Sequence, residues 1–358
     1  MKKNYEQLIQ RVKQRSNPGA IDESVLLEKS FSAELRGLYD KKILVYIKRA
    51  MQGVEAVYTS NTFAAGDKVK VQLKNVYPNL DYEYQGSVPS NTHIKGYSDI
   101  DLVQISGGFY AHDNKSNFIA ESQKSNLSYD QKIRLNEVIN GAPYLGNANE
   151  DLKKIRLNAE EVLAKVYKEV NIIKAKSIEV NLTNPKRIVD VVTASWYKSV
   201  EAVVSANDYE KGIQIYNKEK NQRLKADFPF LKIHLLNKKD SDVNGRLKKM
   251  IRFLKTLKAD SNVEIDFSSF DISSICYNIE KVKYYDKSYD ELVHVLFHEL
   301  TKIASDLVYR NTIKSIDNTE YIFRDSPEKI VQLKLMLEEL NTVNSDLIKD
   351  NLIKRFLS

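Results

Sequence analysis

The stretch YQGS at residues 84–87, followed after eleven residues by DIDL at residues 99–102, decides the fold that this sequence predicts. The second stretch has strand-like residues, and side chains two positions apart on a strand point to the same face. Asp99 and Asp101 therefore project together, while Ile100 faces the core. Two carboxylates held this close repel each other, and hard oxygen ligands of this kind suit Mg²⁺. The stretch therefore predicts a metal site.

A two-metal site of this kind normally needs a third carboxylate from a neighbouring strand. Asp190, within RIVDVV at residues 187–192, is suitable, because an acid inside a β-branched run is costly unless it is paired or metal-bound. At the end of the first strand, Gly86 allows a tight turn, and Ser87 with adjacent N–H groups can donate to phosphate oxygens. Taken separately, the Asp-x-Asp pair is typical of a solvated acid pair, the mid-strand Asp190 of an edge residue that faces water, and Gly-Ser of a turn. Their order and spacing favour nucleotidyl transfer.

The bulk composition is that of an ordinary globular protein. A chain of 358 residues, 42% of them hydrophobic, usually divides its core between two lobes. The net charge of +7 weakly favours a polyanionic ligand. The single cysteine, Cys276, excludes a disulfide framework and a cysteine-built zinc ribbon. Residues 1–15 carry no apolar signal segment, and no stretch approaches the ~18 apolar residues of a membrane span. We therefore expect a soluble, cytoplasmic protein with no membrane partner.

Hydrophobic periodicity predicts an α+β fold in two lobes. Strands are expected at residues 69–73 (VKVQL), 81–85, 100–105, 178–182 and 187–192, the last two joined by a hairpin turn at 183–186. Helices are expected over residues 4–15, about 23–60, about 128–139 within a loop region at 111–150, 151–170, and near 244–258, 268–282, 288–310 and 327–357. The first lobe, residues 1–200, contains a mixed sheet and the long N-terminal helix. The second, residues 201–358, is helical and completes the nucleotide pocket.

This order of motifs resembles that of the polymerase β-like nucleotidyltransferases: Gly-Ser, then Asp-x-Asp, then a third Asp on a later strand. More particularly, residues 90–102 (SNTHIKGYSDIDL) and 188–192 (IVDVV) are similar to motifs of the bacterial cGAS/DncV-like nucleotidyltransferases, or CD-NTases. These are relatives of cyclic GMP-AMP synthase and oligoadenylate synthase. The resemblance covers most of the chain and implies a bilobal fold with the active site in the cleft. It departs from the family at residues 193–194, which are Thr-Ala where relatives often have Pro-Ala.

Two motifs of the helical lobe extend the resemblance. Residues 250–258 (MIRFLKTLK) are similar to the family's helix whose lysine reaches the donor triphosphate, which implies Lys255 as a phosphate ligand. Residues 267–270 (FSSF) are similar to a motif that implies a phosphate contact for Ser269 and base stacking for Phe270. Taken alone, the basic face of the first motif is typical of a solvated surface, and Phe270 of a core residue.

One further pattern, in the predicted helix near 288–310, partly resembles a zinc-protease motif. His294 and His298 lie four residues apart, but Glu299 follows the second histidine instead of the first, so no general base stands between the two ligands. We interpret the pair as helix surface or packing.

The motifs and the resemblance together predict a Mg²⁺-dependent nucleotidyltransferase that makes a cyclic di- or trinucleotide from NTPs such as ATP and GTP, and releases pyrophosphate. Two Mg²⁺ ions, or Mn²⁺ in their place, would be held by Asp99, Asp101 and Asp190, which also form the catalytic set. The nucleotide would contact the residues named above, namely Gly86, Ser87, Lys255, Ser269 and Phe270. The resemblance also implies antiphage signalling through a separate effector protein, and the lack of a cysteine-built zinc element predicts no zinc-mediated DNA sensing.

Three alternatives stay open on the sequence. A template-independent RNA nucleotidyltransferase or polymerase uses the same acids, although the chain shows no RRM aromatic pair or KH loop. A transferase that nucleotidylates a protein or small molecule also shares the site, but such enzymes often lack a long helical second lobe. A nucleotide sensor without activity is disfavoured, because all three acids are present.

Overall fold

The computed structural model describes residues 3–14, 42–96 and 99–357, with the side chains of 350–357 excepted. The chain divides into two compact units. The helical unit comprises residues 1–54, 91–98 and 235–358, and the sheet unit comprises residues 55–90 and 99–234.

In chain order the helices of the described residues are α1 (Tyr5–Gln14), α2 (Lys42–Met51), α3 (Ala56–Val76), α4 (Lys115–Ser122), α5 (Tyr129–Asn140), α6 (Ala148–Val166), α7 (Val200–Ser205), α8 (Pro229–Asp242), α9 (Arg246–Asp260), α10 (Ser269–Asn278), α11 (Tyr289–Ser305), α12 (Leu307–Arg310) and α13 (Lys329–Leu357). The strands are β1 (Asp81–Gln85), β2 (Ile100–His112), β3 (Val170–Asn171), β4 (Ser177–Thr183), β5 (Lys186–Lys198), β6 (Gly212–Asn217) and β7 (Gln222–Arg223).

These compact units differ from the predicted lobes at residues 1–54, 91–98 and 201–234. Helix α2 belongs to the helical unit because its apolar face, which includes Ile43, Tyr46 and Ile47, is buried in the core of that unit. Strand β6, which was not predicted, belongs to the sheet unit because it pairs with β5.

The sheet is mixed, in the order β1-β2-β5-β4-β3, with β6 pairing with β5 and β7 with β6. Strands β2 and β5 run parallel, whereas β1 with β2 and β4 with β5 are antiparallel. The predicted hairpin turn is confirmed, since Thr183 and Lys186 are the last pair of the β4–β5 ladder. The predicted strands at 81–85, 100–105, 178–182 and 187–192 are all present.

One predicted strand is wrong. Residues 69–73 (VKVQL) lie within α3, where Val69 and Leu73, four residues apart, are buried with Ala65 against the sheet. A strand would have placed Val69, Val71 and Leu73 on one face, but Val71 is 54% exposed. The apparent alternation is therefore one face of a helix.

The predicted long helix over about 23–60 is also corrected in the part that the structure describes. Residues 15–41 lie outside the described ranges. From residue 42 onward the chain forms two helices, α2 and α3, separated at residues 52–55, a stretch that includes Gly53. Glycine weakens a helix because its unfolded backbone has more conformations to lose. The region at 111–150 likewise contains a second helix, α4, because Phe118 anchors it in a small core shared with α5 and α7.

The core beneath the sheet fixes which strand faces carry polar groups. Ile100 and Leu102 of β2 pack with Val189 and Val191 of β5, together with residues of α3 and α6. Because strand side chains alternate, the intervening Asp101 and its neighbours on β5 and β4 project from the opposite face.

The predicted helices from residue 244 to the end are confirmed as α9, α10, α11 with the short α12, and α13. They form one large hydrophobic core together with α1 and α2. Within the described ranges, none of the helices has an apolar stretch long enough to cross a membrane.

Candidate active site

Three carboxylates lie side by side across three neighbouring strands of the sheet unit. Asp101 of β2 stands directly opposite Asp190 of β5 in the parallel ladder. Asp190 in turn stands opposite Glu179 of β4 in the antiparallel ladder. We call Asp101, Asp190 and Glu179 the acid row. Asp99 immediately precedes β2, so it approaches the row from the start of that strand.

The carboxylates of the site repel one another strongly. Burial, and then the negative charges of Asp190 and Asp99, raise the pKa of Asp101 to about 7. Burial followed by the charge of Asp190 also raises the pKa of Asp99. Raised pKa values of this origin mean that full ionisation of the site is costly without a cation.

Gly86 is required by the close approach of Asp101. Its φ is +84°, a conformation that L-residues rarely adopt, and a Cβ at this position would lie 2.4 Å from Asp101 Oδ2. The turn after it is closed by Ser90, whose hydroxyl donates to the carbonyl oxygens of Gly86 (2.9 Å) and Ser87 (3.2 Å). The conformation of the Gly-Ser turn and the position of Asp101 in the acid row therefore depend on each other.

Lys174 is a functional candidate that the sequence did not reveal. Its Nζ lies 2.5 Å from Glu179 Oε2 and 3.3 Å from Asp190 Oδ1. Ser177 Oγ also donates to Asp190 Oδ1, at 2.9 Å. Burial lowers the pKa of Lys174, but its hydrogen bonds and ion pairs with the two acids outweigh this and raise it. Asp190 is therefore already engaged by protein groups.

The donor set fits Mg²⁺, although the ligands are not closed around an ion. The acids supply hard oxygen atoms, and their mutual repulsion would be relieved by a cation. Among the described residues, however, no three carboxylate, imidazole or thiol groups are placed to enclose a metal together. The site is an open row in which Lys174 occupies part of the coordination space of Asp190.

In the helical unit, the basic face of α9 is mostly buried, so its interpretation as a solvated surface is wrong. Lys255 is 7% exposed and its Nζ donates to the carbonyl of Thr92 at 3.0 Å. Arg252 Nε donates to the carbonyl of Met51 and its Nη1 to that of Asn91. Burial, and then nearby positive charges, lower the pKa of Lys255 to about 8. Both side chains hold the segment 91–96 against α9.

Lys255 and Ser269 line one cavity of about 440 Å³ in the helical unit. Lys258 also lines it, and donates to the carbonyl of Phe267 at 2.9 Å. Ser269 is the first residue of α10, where N–H groups without helical partners favour an anion. Phe270 does not line this cavity and packs half-buried against the core of the helical unit.

The histidine pair of α11 has other partners. His294 Nδ1 hydrogen-bonds to Asn344 Oδ1, whereas His298 is exposed. Glu299 is buried and accepts a hydrogen bond from the Tyr309 hydroxyl. These contacts fit the interpretation as packing and surface.

A Gly-Ser turn, an acid pair at the start of one strand and a third acid beside it on a parallel strand are the arrangement of the polymerase β-like nucleotidyltransferases. That class is defined here by the sheet unit alone, since Gly86, Asp99, Asp101 and Asp190 all belong to it.

Comparison with known proteins narrows the class to a family. Residues 234–344 match the cGAS/DncV-like nucleotidyltransferase C-terminal helical domain. The chain is 42% identical to a protein named c-di-GMP synthase from Flavobacteriaceae sp., over 99% of this chain and 100% of that protein. It is 43% identical to a c-di-GMP synthase from Capnocytophaga granulosa, over 97% of this chain and 98% of that one. The chain therefore belongs to the cGAS/DncV-like nucleotidyltransferase (CD-NTase) family, and it is a nucleotidyltransferase.

Solved structures agree with this placement. The STING-associated CdnE c-di-GMP synthase of Flavobacteriaceae sp. superposes with a TM-score of 0.83 at 42% identity, over 97% of this chain and 99% of that one. The Rhodothermus marinus CdnE c-UMP-AMP synthase has a TM-score of 0.61 at 19% identity, over 83% and 95% of the two chains. At that identity the second likeness concerns the fold alone.

Proposed function

We propose that this chain joins two GTP molecules into c-di-GMP. The observation that carries the proposal is the parallel register of Asp101 and Asp190, with Asp99 before the strand, in a chain that aligns over its length with two proteins named c-di-GMP synthases. This arrangement suits the transfer of a nucleotidyl group to a hydroxyl. The choice of GTP follows from these relatives, which are both c-di-GMP synthases.

We assign the metal-binding role to Asp99, Asp101 and Asp190, with two Mg²⁺ ions, or Mn²⁺, as the group that fits. When bound, the ions would neutralise the phosphate oxygens and lower the pKa of the attacking ribose hydroxyl. Asp99 and Asp101 would hold both ions. Asp190 would hold the ion that activates the acceptor hydroxyl and would receive the proton of that hydroxyl.

The reaction proceeds in two rounds of the same chemistry. A ribose hydroxyl of one GTP attacks the α-phosphorus of the other, so that an O–P bond forms and the bond to the pyrophosphate leaving group breaks. In the second round, the hydroxyl of the nucleotide that served as donor attacks the remaining triphosphate and closes the ring. Each round releases one pyrophosphate.

We assign the donor triphosphate contacts to Ser87, Lys255 and Ser269. An ammonium group has three donors, so the bond from Lys255 to Thr92 leaves two for phosphate oxygens. The position of Ser269 at the start of α10 adds a hydroxyl and a favourable helix dipole. Phe270 is assigned to stack on a base, because its ring is only partly buried by the core.

Two adjacent serines offer a test of the assignment to Ser269. Ser268 is the N-cap of α10 and forms a reciprocal capping box with Asp271. Ser268→Ala should lower the free energy of unfolding by about 1 kcal/mol and leave the KM for GTP nearly unchanged. Ser269→Ala should leave the free energy of unfolding nearly unchanged. It should raise the KM for GTP about tenfold, because a hydrogen bond to a charged phosphate is lost. Chemical denaturation and initial rates measure the two effects, and an unchanged KM in Ser269→Ala would contradict the assignment.

We further propose that the product is a signal read by a separate effector protein in antiphage defence. Two of the similar solved structures are described as STING-associated synthases. The effector of this chain would accordingly bind a cyclic dinucleotide.

The proposed function is tested by supplying GTP, ATP, CTP and UTP to the purified protein, singly and in pairs, with Mg²⁺ and no acceptor. We expect a phosphatase-resistant product from GTP alone, and none after removal of Mg²⁺ with a chelator. A product that forms only when RNA or a protein acceptor is added would favour the transferase alternatives. A product that requires two different NTPs would contradict the choice of GTP.

A further inference from the structure

The third acid of the site is held by a lysine instead of standing open. Lys174 Nζ is 3.3 Å from Asp190 Oδ1, and that same oxygen accepts from Ser177 Oγ. An oxygen that accepts both of these groups cannot at the same time offer a full coordination position to a cation. A cation bound to either carboxylate oxygen of Asp190 would lie close to the ammonium group of Lys174 and repel it from Asp190.

The structure also provides a second partner for that lysine. Glu179 stands beside Asp190 on β4, and its Oε2 lies 2.5 Å from Lys174 Nζ. The ammonium group can therefore leave Asp190 and keep an ion pair. Glu179 is on the side of Asp190 away from Asp101, so the transfer would move positive charge along the acid row and away from the proposed metal position.

Hydrogen bonds from a buried arginine anchor the backbone that carries Lys174, whereas the side chain of Lys174 is partly exposed. Arg156, which is fully buried, donates from Nη2 to the carbonyls of Lys174 (2.9 Å) and Ser177 (2.8 Å), and from Nε to Glu160. Lys218 donates to both oxygens of Glu160 at 2.8 Å. The Lys174 side chain itself is 40% exposed. This combination lets the ammonium group move without unfolding the loop.

From these contacts we infer that Lys174 is a positioning residue that stands in for a metal ion at Asp190 in the metal-free enzyme and transfers to Glu179 when the ion binds. This inference rests on the metal site of the proposed function. Lys174 keeps the acid row ordered without a metal, and competition between Lys174 and the ion lowers metal affinity. Glu179 acts through Lys174 and is not itself a metal ligand.

The test is equilibrium Mn²⁺ binding to the full-length protein without nucleotide, measured from the free-ion signal in electron paramagnetic resonance. Lys174→Met should bind Mn²⁺ about two- to fivefold more tightly, the range expected for loss of one partly exposed ion pair. Glu179→Gln should bind more weakly by a similar factor, because Lys174 then has only Asp190. Lys176→Met is the matched control, since Lys176 is an exposed lysine of the same loop, and its affinity should equal that of the wild type.

The double variant separates positioning from direct ligation. If Glu179 acts only as the alternative partner of Lys174, Glu179→Gln should have little effect in the Lys174→Met background. An equal effect in both backgrounds would overturn that role. Equal Mn²⁺ affinity of the wild type, Lys174→Met and Lys176→Met would overturn the inference and leave the proposed function intact. If the wild type shows no Mn²⁺ binding that is lost in Asp101→Asn, the proposed metal site is contradicted, and this inference is contradicted with it.

Discussion

Asp101→Asn is expected to abolish c-di-GMP formation, with a fall in kcat of about a thousandfold or more. Asparagine keeps the shape of the side chain and removes the charge that would hold the proposed metal ions, a loss of several kcal/mol of transition-state stabilisation. Because Asp101 is buried beside Asp190 and Asp99, the substitution also removes repulsion. We therefore expect the melting temperature to stay the same or rise.

Asp101→Asn is informative because we expect it to lower activity while leaving thermal stability unchanged or higher. Initial rates of pyrophosphate release and a thermal melt, both on the same preparation, are the measurements. Asp208→Asn is a suitable control, because Asp208 is an exposed carboxylate of the same unit, paired with Lys211 and remote in sequence from the site motifs. Wild-type rates in Asp101→Asn would refute the assignment of Asp101 to the metal site. A large fall in melting temperature would contradict the expected relief of repulsion.

Gly86→Ala is expected to reduce activity by at least about a hundredfold through Asp101. The new Cβ would lie 2.4 Å from Asp101 Oδ2, so the carboxylate must rotate away. Backbone strain at φ +84° adds a stability cost of about 1–2 kcal/mol. Displacement of a catalytic group lowers the reaction rate far more than it lowers the stability of the fold.

Gly107→Ala is the matched control for this variant. Gly107 lies in β2, the strand that carries Asp101, and a Cβ there has no heavy atom within 4 Å. We expect near-normal rates for Gly107→Ala and near-normal folding for both variants by circular dichroism. Full activity in Gly86→Ala would show that the close approach of this glycine to Asp101 has no catalytic consequence.

The central part of the sheet could be predicted because local chemistry and long-range pairing agree there. Asp190 stands beside Asp101, as the β-branched run around it and the Gly-Ser and Asp-x-Asp order indicated. Glu179 could also have been found. A hairpin turn at residues 183–186 fixes the antiparallel register, and that register pairs Glu179 with Asp190.

Other features could not be predicted from local patterns. Lys174 precedes β4 in a loop, and its approach to the acid row depends on the buried Arg156 that holds the loop backbone. The basic face of α9 has the spacing of a solvated stripe, yet Arg252 and Lys255 are buried because carbonyl groups of the segment 91–96 and of α2 accept from them. Only the tertiary structure supplies those acceptors.

The misassigned strand at residues 69–73 has a related cause. The apolar residues Val69, Val71 and Leu73 alternate as they would in a strand. Val69 and Leu73, however, are also four residues apart, which is the spacing of one face of a helix. The packing of α3 on the sheet decides between these, and it leaves Val71 exposed. Short apolar alternations carry this ambiguity wherever a helix is amphipathic.

The most direct test of the central claim is the ratio of pyrophosphate to cyclic product when GTP is the only nucleotide supplied. Ring closure by two successive transfers predicts two pyrophosphates for each c-di-GMP, with the product identified by mass and by resistance to phosphatase. No linear product should persist at the end of the reaction. Pyrophosphate release with only linear, phosphatase-sensitive products, or no reaction until an acceptor is added, would contradict the account.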